Sequence, residues 1–335
     1  MNSGGEGMET DKKNKRDFSI DLVKAIAVLI IINSHADVCY AKFGALATGG
    51  AIGDGLFLFC SGYTLFLGRA RTFMNYYKRR IQRIYPSVFA ALIIVICMGC
   101  LPFEKISLKR ILGGEFVIAI MLYYVLLYFV RKFLIKKMSL CVLITLVATI
   151  VAYYFFPYKM ETGIKGLYGI ATLFRWIPYF GFMLLGAFVG INRDKLSFSF
   201  KFDICKLLFC IILFHAILFL AKVWPPFAIA QIVSLPVLFG VVFYFYKVCN
   251  ASLLQSLKEM KISRNIVMFL GGVCLESYLI QNYFMTDKLN FIFPLNLPII
   301  FAGILLLSYI VRCLSRFIAQ TFKSEDYSYR DIFSL

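Results

Sequence analysis

Residues 202–222 read FDICKLLFCIILFHAILFLAK. Between Lys206 and Lys222 the only strongly polar side chain is His215. As a helix the segment is about 30 Å long, the thickness of a bilayer's hydrocarbon core. Runs of the same kind recur along the chain. Ten candidate spans fall at 20–38, 48–68, 84–103, 111–130, 138–157, 171–191, 202–222, 226–248, 266–287 and 292–311. Of the 335 residues 61% are apolar and only 16% are charged, well below the ~25% charge of a soluble domain. The expected fold is therefore an all-α, polytopic integral membrane bundle of about ten helices.

The net charge is +18, but the cations sit in short clusters between apolar runs, which excludes a nucleic-acid groove. With the N-terminus placed inside, alternate loops hold 25 Lys/Arg on the inside and 8 on the outside. That asymmetry predicts cytoplasmic N- and C-termini. Residues 1–16 are polar and Gly-rich and read as a disordered cytoplasmic tail. Residues 17–315 form the membrane domain, and 316–335 a short cytoplasmic tail. The basic, aromatic stretch 69–83 reads as a helix lying along the membrane surface ahead of the third span. Trp224-Pro225-Pro226 marks a tight turn between the seventh and eighth. Most of the ten cysteines lie in apolar runs, where they fill space. Cys97 and Cys100 have no histidine nearby, so no metal site is expected.

Ionisable residues inside spans are costly and point to function. Span one carries Asp21, Lys24 and His35, span two Asp54, span four Glu115, and span six Arg175. Span seven carries Asp203, Lys206 and His215, and span nine Glu276 and Gln281. Asp21, Asp203 and Lys206 lie near span ends, where side chains reach the interface. His215 reads as a packing histidine, and Arg175, beside Trp176, also suits an interface anchor. Lys24 and His35 are eleven residues apart, near three helical turns, so both project from roughly one face about 16 Å apart along the axis. An imidazole there has the proton affinity of a general base.

Three stretches carry a resemblance. Residues 16–35 read RDFSIDLVKAIAVLIIINSH, 53–65 GDGLFLFCSGYTL, and 73–86 FMNYYKRRIQRIYP. In this order and spacing they resemble the acyltransferase-3 family of membrane acyltransferases. The matching positions are Lys24 and His35, then Ser61, Gly62 and Leu65, then Arg80, Arg83 and Pro86. Weaker likenesses extend through 114–128, 176–190 and 271–281. The chain departs from the family pattern at Lys24 (Arg in the family), Glu115 (Trp), Leu122 (Gln) and Gln281 (His). Lys24 keeps the charge but loses the planar fork of arginine.

The resemblance implies transfer of an acyl group, most often acetyl, from acyl-coenzyme A to a hydroxyl of a cell-surface carbohydrate or glycolipid in a bacterial inner membrane. Acyl-CoA is then a donor substrate rather than a bound cofactor. His35 is the expected catalytic residue. Arg79, Arg80 and Arg83, with Lys24, suit the donor's phosphates. Ser61 and Gly62 support the site, and Glu276, Gln281 and Arg175 are secondary candidates. A partner that passes the acyl group onward would be a separate chain. The rival reading is a small-solute or lipid-linked glycan transporter, against which stands the lack of paired repeat halves.

Overall fold

The computed structural model describes residues 17–68, 72–155, 173–322 and 324–334, all helical or irregular, with no strand among them. The predicted tail at 1–16 lies outside the described residues. The main helices are α1 (Phe18–Ser34), α2 (Gly50–Phe66), α3 (Phe73–Cys97), α4 (Leu108–Ile111), α5 (Gly114–Phe133), α6 (Met138–Phe155) and α7 (Trp176–Ile191). They continue as α8 (Phe200–Val223), α9 (Ser234–Asn250), α10 (Ser252–Gln255), α11 (Lys261–Gly272), α12 (Cys274–Ile280), α13 (Asn296–Thr321) and α14 (Tyr329–Phe333). Among the described residues six helices are long and apolar enough to cross a membrane. α1 and the 3-10 segment Asp37–Leu46 together form a seventh candidate, bent by 97°. The chain is a multi-pass integral membrane protein.

The expected count of ten is not reached by length alone, and the differences have physical causes. α2 and α7 have 17 and 16 residues and form the centre of the bundle, packed on each other. A Cβ on Gly62 would fall on the Met183 carbonyl, and one on Gly186 on the Phe59 carbonyl. Glycine at both positions therefore lets two backbones touch, as membrane helices use small residues to do. The ninth candidate, 266–287, is two helices, α11 and α12, broken at Val273 behind the pair Gly271-Gly272. Glycine lowers the cost of leaving helical geometry. The basic stretch is not a separate surface helix: residues from Phe73 onward are the first turns of the continuous 25-residue α3, which carries Pro86 inside it. α8 ends at Val223 and a 3-10 turn begins at Pro225, as the Trp-Pro-Pro signal predicts.

α8 turns Phe209, Ile212 and Phe219 outward, each more than 60% exposed, as a lipid-facing helix does. Asp17 ties α1 into the bundle. It caps the helix by accepting from Ser19 N at 3.1 Å. It also accepts from the Tyr63 hydroxyl at 2.8 Å and pairs with Arg193 at 2.8 Å. This fixes the start of α1 against the end of α2, so the basic turns of α3 and the first turns of α1 share one end of the bundle.

Candidate active site

At that basic end lies a cavity of about 570 Å³ bounded by α1, α2, α3, α5, α11, α12 and α13. Its lining holds the cations Lys24, Arg79, Arg80, Arg83, Arg131, Arg312 and Arg316, against the single carboxylate of Glu276. Five of the seven are placed by a local device. The Arg80 guanidinium stands over the rings of Tyr76 at 5.8 Å and Tyr124 at 6.0 Å, a cation–π arrangement that fixes it in the wall. Arg131 donates to the Leu65 carbonyl at 3.3 Å and to that of Gly68, at the end of α2, where a cation meets the negative pole of the helix. Arg312 reaches across Gly272, whose missing side chain leaves the room its guanidinium fills. Gly271 does the same for α1: a Cβ there would stand 2.9 Å from the Asp21 carbonyl and 3.3 Å from Lys24 Cβ. The diglycine that breaks the span thus also seats two of the cations.

Arg316 is held by the C-terminal segment. Its Nη1 donates to the carbonyls of Asp331 at 2.9 Å and Ile332 at 3.2 Å, and to Ser334 Oγ at 2.9 Å. The segment folds back on α13, burying Ile332. The 316–335 region read as a tail is therefore part of the wall.

Glu276 is buried beside these cations. Ser87 Oγ donates to its Oε1 at 2.9 Å and lies 3.0 Å from Ser315 Oγ. Its Oε2 and the Tyr76 hydroxyl, both on this cavity, have no hydrogen-bond partner among the described residues. Ser61 is also in the lining and bonds to Tyr124. Gly62 is not in this lining; it makes the close contact with α7.

His35 stands at the other end of α1, as its C-terminal cap, half-buried and with no side-chain hydrogen bond to another described residue. It is not in the lining of the basic cavity. Between Lys24 and His35 the stripe is filled by Val28 and Ile32, packed against Cys274, which is in that lining. Around His35 a second set of polar groups gathers. Asp37 and, after it, Arg175 act on it electrostatically; Arg175 pairs with Glu115 at 3.2 Å, which Lys109 also holds at 2.5 Å. Asp54 lies in the field of the same arginine and accepts from Tyr179. So Arg175 is part of a partly exposed polar network rather than an interface anchor alone, and Glu115 supplies its partner. Gln281 is fully buried, and its amide has no partner among the described residues.

Sequence reasoning grouped Lys24 with Arg79, Arg80 and Arg83, and the structure brings these together with Ser61 and Glu276. It missed Arg131, Arg312 and Arg316, which read as flanking loop charge. Asp54 was visible as a charge inside a span. Among the described residues no cluster of His, Cys, Asp or Glu could hold a metal ion.

A basic cavity at one end of a membrane bundle and a half-buried histidine at the other define a membrane protein with a polar site within the bundle. A family model described as an acyltransferase domain, that of acyltransferase-3, matches residues 17–313. The chain belongs to this family of membrane acyltransferases. No curated protein and no solved structure matches it.

Proposed function

We propose that this acyltransferase takes an acyl group, acetyl by preference, from acyl-coenzyme A and places it on a hydroxyl of a cell-surface carbohydrate. In this reading the basic end of the bundle faces the cytoplasm of a bacterial inner membrane. The observation that carries it is the gathering of seven cations and one carboxylate around one 570 Å³ cavity. A run of cations clustered inside a protein repels itself unless a polyanion balances it. Coenzyme A brings a diphosphate and a 3′-phosphate, and arginine forks match phosphate oxygens. Its thin pantetheine arm would then run from this end past Cys274 towards His35.

The reaction is an ester exchange. The acceptor hydroxyl oxygen attacks the thioester carbonyl carbon, the new C–O bond forms, and the C–S bond breaks. The hydroxyl proton passes to His35, and coenzyme A leaves as a thiolate that takes up a proton. Reaching His35 requires Val28 and Ile32 to give way, since they fill the stripe between the two ends. Positive loops facing the cytoplasm account for basic flanks in any membrane protein. They do not account for Arg80 between two tyrosines or Arg312 over a glycine.

The test is transfer of labelled acetyl from acetyl-CoA in membranes carrying the protein, with label sought in surface glycans. Wild type should transfer. Arg80→Ala should raise the apparent KM for acetyl-CoA by roughly ten- to a hundredfold, the loss of a charged hydrogen bond worth about 1.5–3 kcal/mol. An unchanged KM in a folded Arg80→Ala protein would remove the phosphate role from this cavity.

A further inference from the structure

A second cavity, of about 420 Å³, lies against the C-terminal half of α3. It stands back to back with the first along two helices. On α3, Ser87 lines the basic cavity and Val88 the second; on α12, Glu276 lines the basic cavity and Tyr278 and Leu279 the second. The partition between them is aromatic. Phe57 of the basic cavity packs on Phe116 at 5.5 Å, and Phe116 packs on Tyr278 at 4.8 Å.

The chemistry of the two chambers differs. The second has an apolar floor of Val88, Ala91, Leu92 and Val95, two tyrosine rings, the amide of Asn282, and one charged side chain, Arg110. No carboxylate is in its lining. Arg110 donates Nη1 to the Lys105 carbonyl at 2.8 Å, which orients its guanidinium without neutralising it. The carboxylate of Glu115, close by in sequence, is already held by Lys109 and Arg175. Tyr278 of this cavity packs on Phe116, the sequence neighbour of Glu115, and Glu115 pairs with Arg175, so the chamber lies beside that ion pair.

We propose that this second cavity is the acceptor subsite, and that it selects an acceptor bearing a negative charge, a carboxylate or a phosphate, beside the hydroxyl to be acylated. The proposal rests on the transferase reading above. The tyrosine rings offer faces to a sugar ring, Asn282 offers hydrogen bonds, and Arg110 takes the anion. Donor and acceptor then approach His35 from opposite ends of the bundle, with the Phe57–Phe116–Tyr278 rings standing between the two chambers.

The test needs no acyl transfer, so its outcome is independent of the donor assignment. Asn282, an exposed position, is changed to Cys in the full chain with the exposed Cys97, Cys100 and Cys205 replaced by Ser. Leu92→Cys on the opposite wall serves if that variant does not fold. In nanodiscs, an anionic sulfonatoethyl and a cationic trimethylammonioethyl methanethiosulfonate are compared, each normalised to its rate with a free thiol. The anionic reagent should be favoured by about tenfold, and Arg110→Gln should abolish the preference. Glucuronate or glucose 1-phosphate should slow the labelling where glucose does not, and the more effective of the two names the anion. Absence of a charge preference, its survival in Arg110→Gln, or equal protection by glucose would overturn the proposal.

Discussion

His35→Ala should reduce acyl transfer by roughly a hundredfold or more, the usual worth of a general base, and leave the protein folded. The two halves of this expectation have separate grounds. The imidazole makes no hydrogen bond to another described residue, and it caps α1 through its backbone N–H, which alanine retains. Little packing or capping is therefore lost. The chemistry, by contrast, has no second imidazole to fall back on nearby. His215, the other histidine of the chain, sits far along in α8 with its ring edge-on to Phe214 at 5.3 Å. Labelled acetyl transfer by detergent-stable, monodisperse wild type and variant measures the effect. Equal transfer by both proteins would take the proton-accepting role from His35 and shift attention to Asp54 and Glu276.

Gly62→Val should prevent the bundle from forming. At most membrane-helix contacts an added side chain pushes against another side chain, which can turn away. Here the Cβ would fall on the backbone of Met183, and the reciprocal position, Gly186, meets the backbone of Phe59. Nothing short of separating α2 from α7 relieves such a clash, and these helices form the buried centre from which Ser61 is presented. Gly303→Ala is the matched control, because nothing stands within 4 Å of a Cβ there. Size-exclusion profiles after detergent extraction should show aggregated or absent Gly62→Val and unchanged Gly303→Ala. A monodisperse, active Gly62→Val would mean that the two backbones do not touch as described.

The apolar runs announce a helical membrane bundle because the bilayer leaves few other solutions. What they do not announce is which runs cross it whole. α2 and α7, at 17 and 16 residues, stand at the short end of what a bilayer needs, and they are packed among other helices. α11 and α12 together have enough residues for a span, but a diglycine that serves a close approach to α1 breaks them. In the sequence, α3 looks like a surface helix followed by a span, since charge and hydropathy change abruptly near Pro86. The backbone continues through the proline, and the basic turns face a cavity instead of lipid headgroups.

The site was legible to the extent that its residues lie close together along the chain. Arg79, Arg80 and Arg83 fall within two turns of one helix, and Lys24 stands in a motif with His35. Arg131, Arg312 and Arg316 come from helices distant in sequence, and each sits where any inner loop carries positive charge. Only packing distinguishes them: Arg131 on the end of α2, Arg312 over Gly272, and Arg316 under the folded-back C-terminal segment. The pairing of Arg175 with Glu115 spans 60 residues, and no local pattern records it.

The transferase reading turns on the basic cavity's holding the phosphates of coenzyme A. It is tested most directly by titrating the purified full-length protein in nanodiscs with coenzyme A and with dephospho-coenzyme A, which lacks the 3′-phosphate. Calorimetry at low salt should find coenzyme A tighter by about tenfold, one charged contact in affinity. The difference should shrink at high salt and in Arg83→Gln. Equal affinities for the two ligands, or binding of neither, would contradict the assignment of this cavity to the donor.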